Sequence, residues 1–186
     1  MVLIGSARHD ENYSYSGGRA GNQTENELEI QEWYLHSKGW RVFRCRDDNK
    51  AYKIAKNMQM AINNHHIGYD QSQNYTLWDE VKSLGFDCSK VAVDCETDCA
   101  RLVRVCCAYA GIVTDDFYTG NEAACLLETG WFDEIPFAAT DPNKLHRGDI
   151  LVTKTKGHTV IVVETDTQPL PLSDESEFDG VYVIVG

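Results

Sequence analysis

Apolar and polar positions along the chain predict elements of two kinds. Trp40-Arg-Val-Phe-Arg-Cys45 alternates apolar and basic residues, the period of a strand. From Asp48 to Ile62 the pattern is helical, with Ile54, Met58, Ala61 and Ile62 on one face and lysines elsewhere. A second helix is predicted from Cys99 to about Tyr109. There Leu102, Val103, Cys106, Cys107 and Ala110 follow the helical period, and Gly111 closes it. Weaker helical patterns cover Leu77 to Val81 and Glu122 to Leu127, the latter ending near Gly130.

The first twenty-one positions are rich in Gly, Ser, Tyr and charge and read as loops with a short edge strand. Thr24, followed by acids, is expected to cap a helix running through Trp33 and Tyr34. His65 to Tyr75 reads as a polar connection. Gly85 to Thr97 reads as irregular, with Val91 and Val93 hinting at a short extended piece. Three β-like segments close the chain: Asp149 to Thr153, His158 to Glu164 and Val181 to Val185. Helices followed by an antiparallel sheet make an α+β plan, with N-terminal helices packed on a C-terminal antiparallel sheet. A length of 186 residues suits a single domain, with residues 1–47 as an N-terminal extension integrated into it.

Charge narrows the range of partners. Seventeen Lys and Arg against 29 Asp and Glu leave a net charge of −12, which argues against nucleic acid. No apolar run approaches the ~20 residues of a membrane span, so membrane insertion is not expected. The opening Met1-Val-Leu-Ile-Gly has too short an apolar stretch for a signal peptide, so synthesis in the cytoplasm is expected. Seven cysteines cannot all pair within one chain, and without a secretion signal they are expected to be free thiols.

One of those thiols is placed for chemistry. A nucleophilic cysteine needs activation, partial exposure and a base, and a helix N-terminus favours its thiolate. Two segments share a local pattern, Asp87-Cys88-Ser89 and Asp98-Cys99-Ala100. Only the second is followed by a sustained helical stripe, with Asp98 or Thr97 at the cap position. Cys99 is therefore the candidate nucleophile, while Cys106 and Cys107 lie on the apolar stripe and read as packing. The candidate base is His158, at the start of the strongly β-forming His158-Thr-Val-Ile-Val-Val.

Asp98-Cys99-Ala-Arg-Leu-Val resembles the Asp-Cys-Ser-Gly-Leu-Val signature of the NlpC-type peptidases, relatives of the CHAP amidases. Arg147-Gly-Asp-Ile-Leu with Gly157-His158-Thr-Val-Ile-Val resembles their Gly-Asp…His-Val-Gly-Ile element. Asp10-Glu-Asn, Gly17-Gly-Arg-Ala-Gly-Asn-Gln-Thr, Trp33-Tyr34, Ile67-Gly-Tyr-Asp-Gln and Tyr118-Thr-Gly-Asn-Glu are similar to catalytic domains of phage endolysins from Gram-positive hosts. The resemblance implies a papain-like fold and cleavage of a peptide or amide bond in bacterial peptidoglycan through a Cys99 acyl-enzyme. His158 would be the base and the Cys99 amide would help to hold the oxyanion. It also implies a site-lining tyrosine, best matched by Tyr69, with Gln71 as an alternative polar donor. A third polar residue would orient the histidine; Asp10, Glu11, Glu164, Gln168 and Tyr182 are the positions available, none of them favoured. The expected protein is a monomer without cofactor, made in a bacterial host cytoplasm and acting on the wall after release.

Other chemistries fit less well. Cys88, Cys95, Cys99 and Cys106 are spaced x6, x3 and x6, not as zinc knuckles. His65 and His66 read as loop polar groups. Asp174-Glu-Ser-Glu-Phe-Asp179 has carboxylates at a spacing that suits calcium, but a solvated acidic turn is the expected state. Gly17 to Gly21 lacks the strand, helix and Lys-Ser/Thr of a phosphate loop. Two rival functions remain: a papain-fold effector or toxin acting on another amide, and a non-catalytic wall-binding module.

Overall fold

The structure, a computed structural model, describes residues 1–166. In chain order its elements are β1 (Val2–Ala7), β2 (Leu28–Glu32), β3 (Trp40–Cys45), α1 (Asp48–Asn63), β4 (Ile67–Tyr69) and α2 (Thr76–Val81). They continue with β5 (Cys95–Thr97), α3 (Cys99–Tyr109), α4 (Glu122–Glu128), β6 (Phe132–Glu134), β7 (Ile150–Thr153) and β8 (Thr159–Thr165). Six strands form one sheet in the order β2-β1-β8-β7-β3-β6, every neighbouring pair antiparallel. The class is mixed α and β around an antiparallel sheet, as the α+β reading expected.

The distribution of strands along the chain corrects that reading. Three of the six come before the first helix, so the sheet is not a C-terminal one. Val2–Ala7 is an interior strand between β2 and β8 rather than an edge within loops. The segment expected to continue as a helix after Thr24 contains a strand at Leu28–Glu32. Its residues alternate in burial, and its backbone groups pair with β1 from Leu28↔Ala7 to Glu32↔Leu3. Period-two pairing outweighs the local cap signal there. The expected strand at Val181 to Val185 and the acidic turn at Asp174 to Asp179 lie outside the described residues.

Helices α1 and α3 pack on one face of the sheet. Ala51, Ile54, Ala55, Met58 and Ala61 of α1 are buried there with Phe43, Ile161 and Val163. The opposite face carries Ile4, Trp40, Val42, Leu151, Val160 and Val162, covered by Ala138 and Leu145. Gly148 joins the layers. Its φ of +84° is one that L side chains rarely adopt, and a Cβ there would stand 2.3 Å from the Ala51 carbonyl oxygen. Asp149 beside it is almost fully buried and accepts two hydrogen bonds from Arg44, at 2.8 and 2.7 Å, and one from the His146 amide. This Gly-Asp turn sets the start of β7, and so the register of β8 and of His158.

Candidate active site

Cys99 is the first residue of α3. Asp98 is the N-cap in extended backbone, and its carboxylate accepts the Arg101 amide at 2.8 Å, which meets one of the orphan donors of the first turn. Asn74 donates to the other carboxylate oxygen at 2.6 Å and holds the cap. The helix then buries Leu102, Val103, Val105, Cys106 and Cys107 and ends at Gly111, whose φ is +76°. Cys99 itself is 8% exposed and lies in the wall of a cleft, whereas Cys88, Cys106 and Cys107 have no exposure.

Strands β4 and β5 explain how Tyr69 reaches the site from thirty positions upstream. They are parallel, and Tyr69 stands opposite Thr97, two residues before Cys99. Gln71 donates from Nε2 to the Tyr69 hydroxyl at 2.9 Å, and both residues line the cleft with Cys99. Glu27, fully buried, fixes this strand by accepting the amides of Tyr69 and Gln23 at 2.9 and 2.8 Å. Tyr69 and Gln71 therefore stand in the same site as Cys99.

His158 stands immediately before β8. Its backbone is pinned to the neighbouring strand: its carbonyl accepts the Thr153 amide, and its own amide donates to Thr153 Oγ1, each at 3.0 Å. The next residue, Thr159, faces the helix start, where its hydroxyl donates to Glu122 at 2.7 Å and its backbone amide favours the Cys99 thiolate. Adjacent residues at the start of β8 thus present an imidazole to the cleft and a hydroxyl to the buried Glu122. The cleft has a volume of about 480 Å³ and is walled by Cys99, His158, Tyr69 and Gln71 together with side chains of the N-terminal third of the chain. A smaller cleft of about 220 Å³, between Asp98, Arg101, Tyr118 and Lys156, adjoins it and shares Gln71, Cys99 and Gly157.

Electrostatics in the site differ from the helix-start expectation. Burial pushes the Cys99 thiol up, and the Asp98 and Glu122 carboxyls push it further, against the amides of Thr159 and Ala100. The same capping carboxylate that starts the helix thus opposes the thiolate that the helix end favours. His158 is pushed down to about 4, first by burial and then by His36 and Arg8. Both shifts favour the uncharged forms, a thiol and a neutral imidazole. Burial chiefly, with the Cys99 sulfur adding, holds the Tyr69 hydroxyl protonated, so it stays a donor.

Three neighbours of the pair are not apparent in the pattern of the sequence. His36 and Arg8 face His158 from the N-terminal third of the chain. Glu122, the first residue of α4, is fully buried beside Cys99, its carboxyl raised well above the ordinary range by burial. It accepts the Thr159 hydroxyl at 2.7 Å. Of the positions considered for a third residue, Asp10 accepts the amides of Asn12 and Ser14 at one oxygen, Oδ1, and its other oxygen is buried without a partner; Glu11 accepts the Arg19 amide, and Glu164 is exposed along β8. Gln168 and Tyr182 lie outside the described residues. Among the described residues no group of three or more His, Cys, Asp or Glu is placed to hold a metal ion, and no helix is long and apolar enough to cross a membrane.

The cleft thus lies where the capped start of α3 meets the beginning of β8. The chain belongs to the endolysin-like domain family, whose model matches residues 4–169. No curated protein and no solved structure matches it.

Proposed function

We propose that this domain is a papain-like cysteine hydrolase of the NlpC or CHAP type, cleaving an amide bond of a peptidoglycan peptide as an endopeptidase or amidase. The observation that carries the reading is the shared cleft of Cys99 and His158, each on a rigid element start, within a chain of the endolysin-like family. In the proposed reaction His158, neutral down to about pH 4, takes the Cys99 proton as the sulfur attacks the scissile carbonyl. The same imidazolium then protonates the leaving amine, and water resolves the thioester. The Cys99 amide and the Tyr69 hydroxyl, itself held by Gln71, are the donors available for the oxyanion. Synthesis in a bacterial cytoplasm and release to the wall belong to the same proposal.

Mass spectrometry of muropeptides from purified walls tests it. Wild-type protein is expected to generate new amino and carboxyl termini from one bond type, and Cys99→Ser to generate none. New termini produced equally by both proteins would remove Cys99 from the mechanism.

A further inference from the structure

The chain carries 29 acidic residues against 17 basic ones, yet the cleft at Cys99 has no Asp or Glu among the described residues that line it. Two permanent cations line it, Arg8 and Lys38, with the histidines His9, His36 and His158. These cations are built into the wall. Arg8 stands at the end of β1, beside His158, and Glu29 of β2 holds its Nη1. Lys38 lies against Gly157, next to His158, and its Nζ donates to the Lys156 carbonyl at 2.5 Å. An ammonium has three donors and a guanidinium five, so each retains hydrogen-bonding capacity for a ligand. Tyr13, Tyr15 and Tyr34 complete that side with flat surfaces and hydroxyls. The acids nearest the nucleophile, Asp98 and Glu122, press on Cys99 from the helical side instead.

We propose that the His158 side of this cleft is a carboxylate subsite, and that the domain selects peptides with a free carboxylate near the scissile amide, bound by Arg8 and Lys38. This rests on the hydrolase reading above and adds a substrate class to it. A recess lined by two cations and by no carboxylate, in a protein of net charge −12, offers an anion hydrogen-bond donors that the acidic surface around it lacks. The recess contains the nucleophile, so the anion it selects belongs to the molecule that is cut. A free carboxylate on a peptide fits this better than a phosphate on a separate polymer, which has no amide to present to Cys99. The subsite also gives an acidic domain a local means of engaging an anionic substrate.

Calorimetry with the Cys99→Ala protein tests the subsite apart from catalysis. The probes are short wall-type peptides in which each carboxylate in turn is converted to the carboxamide, with inorganic phosphate as competitor. One amidation is expected to weaken binding about tenfold at low salt, and the difference to shrink in 0.5 M NaCl. Adding Arg8→Gln and Lys38→Gln together is expected to bring the ratio between the two peptides close to one. Lys38→Gln alone, a change at an exposed side chain, should move the ratio part of the way even if the double variant fails to fold. Equal binding of every amidated form, a ratio unmoved by Lys38→Gln, or displacement by phosphate as effective as by the carboxylate peptide would overturn the proposal. Turnover by wild-type protein separates the two readings. Carboxylate-selective binding without cleavage sinks the hydrolase alone, and cleavage without selectivity sinks the subsite alone.

Discussion

Two turns of this molecule begin with the same pair of residues and reach opposite ends. Asp87 and Asp98 are both N-caps, each accepting a backbone amide of the turn it opens, that of Ser89 at 3.0 Å and that of Arg101 at 2.8 Å. Each is followed by a cysteine. Cys88 opens a single 3-10 turn, Cys88–Lys90, and is sealed in the core. Its amide donates to Asn57 of α1, and its thiol is surrounded by packing. Cys99 opens an eleven-residue helix whose start faces a cleft, with His158 lining the same cleft. The local cap chemistry is shared; what covers the cap decides whether the thiol is sealed in the core or open to a cleft.

Exchanging the two cysteines for alanine breaks the comparison most sharply. Cys99→Ala is expected to abolish release of wall fragments, a loss of about 10³-fold or more. Cys88→Ala should keep the rate per folded molecule while lowering the midpoint of urea unfolding. Equal activity of both variants in a turbidity assay would show that the turns do not differ in function.

Removing Asn57 tests the structural turn next. Its Oδ1 accepts the Cys88 amide in the core, and its Nδ2 donates to the half-buried Phe86 carbonyl. Asn57→Ala leaves the buried Cys88 amide and the half-buried Phe86 carbonyl without this partner and is expected to cost about 1–3 kcal/mol in denaturant unfolding, with the specific activity of the remaining folded protein unchanged.

Asp98→Asn gives the smallest effect and the finest distinction. The amide oxygen still caps the Arg101 amide but removes the charge that opposes the Cys99 thiolate. Alkylation of Cys99 by iodoacetamide at pH 8 should quicken a few-fold. Asp87→Asn should leave Cys88, without exposed surface, unlabelled in the native protein. An unchanged Cys99 rate would mean that burial alone holds that thiol.

The capped start of α3 and the β-forming run after His158 are local patterns, and both stand in the structure where the sequence places them. Helix α1 and strand β3 were legible for the same reason, since each carries its own period over several turns or pleats. The elements missed are those defined by distant partners. Val2–Ala7 is a strand because β2 and β8 flank it, and Ile67–Tyr69 is too short to announce itself without β5 beside it. Glu27 looked like a first-turn acid of a helix and is instead a buried acceptor for an amide 42 positions away. Arg8, His36 and Lys38 reach the cleft through that same N-terminal architecture, so no spacing along the chain pointed to them. The depressed imidazole of His158 and the raised thiol of Cys99 follow from burial, which a string of residues does not display.

Strand β8 pairs with β1, so the histidine's strand is zipped to residues made some 160 positions earlier. On a ribosome moving at roughly 5–20 residues per second, the first strand waits about ten to thirty seconds for its partner. In the last third of that interval, once residues 99–109 have been made, the nascent chain has its thiol helix but not yet the imidazole, and the wall of Arg8 has nothing to close against. The domain therefore acquires its full cleft in one late event, after translation has passed Thr165. Under the proposed mechanism, an unfinished polypeptide stalled before that point is expected to be inert toward the substrate, however well its helices have formed.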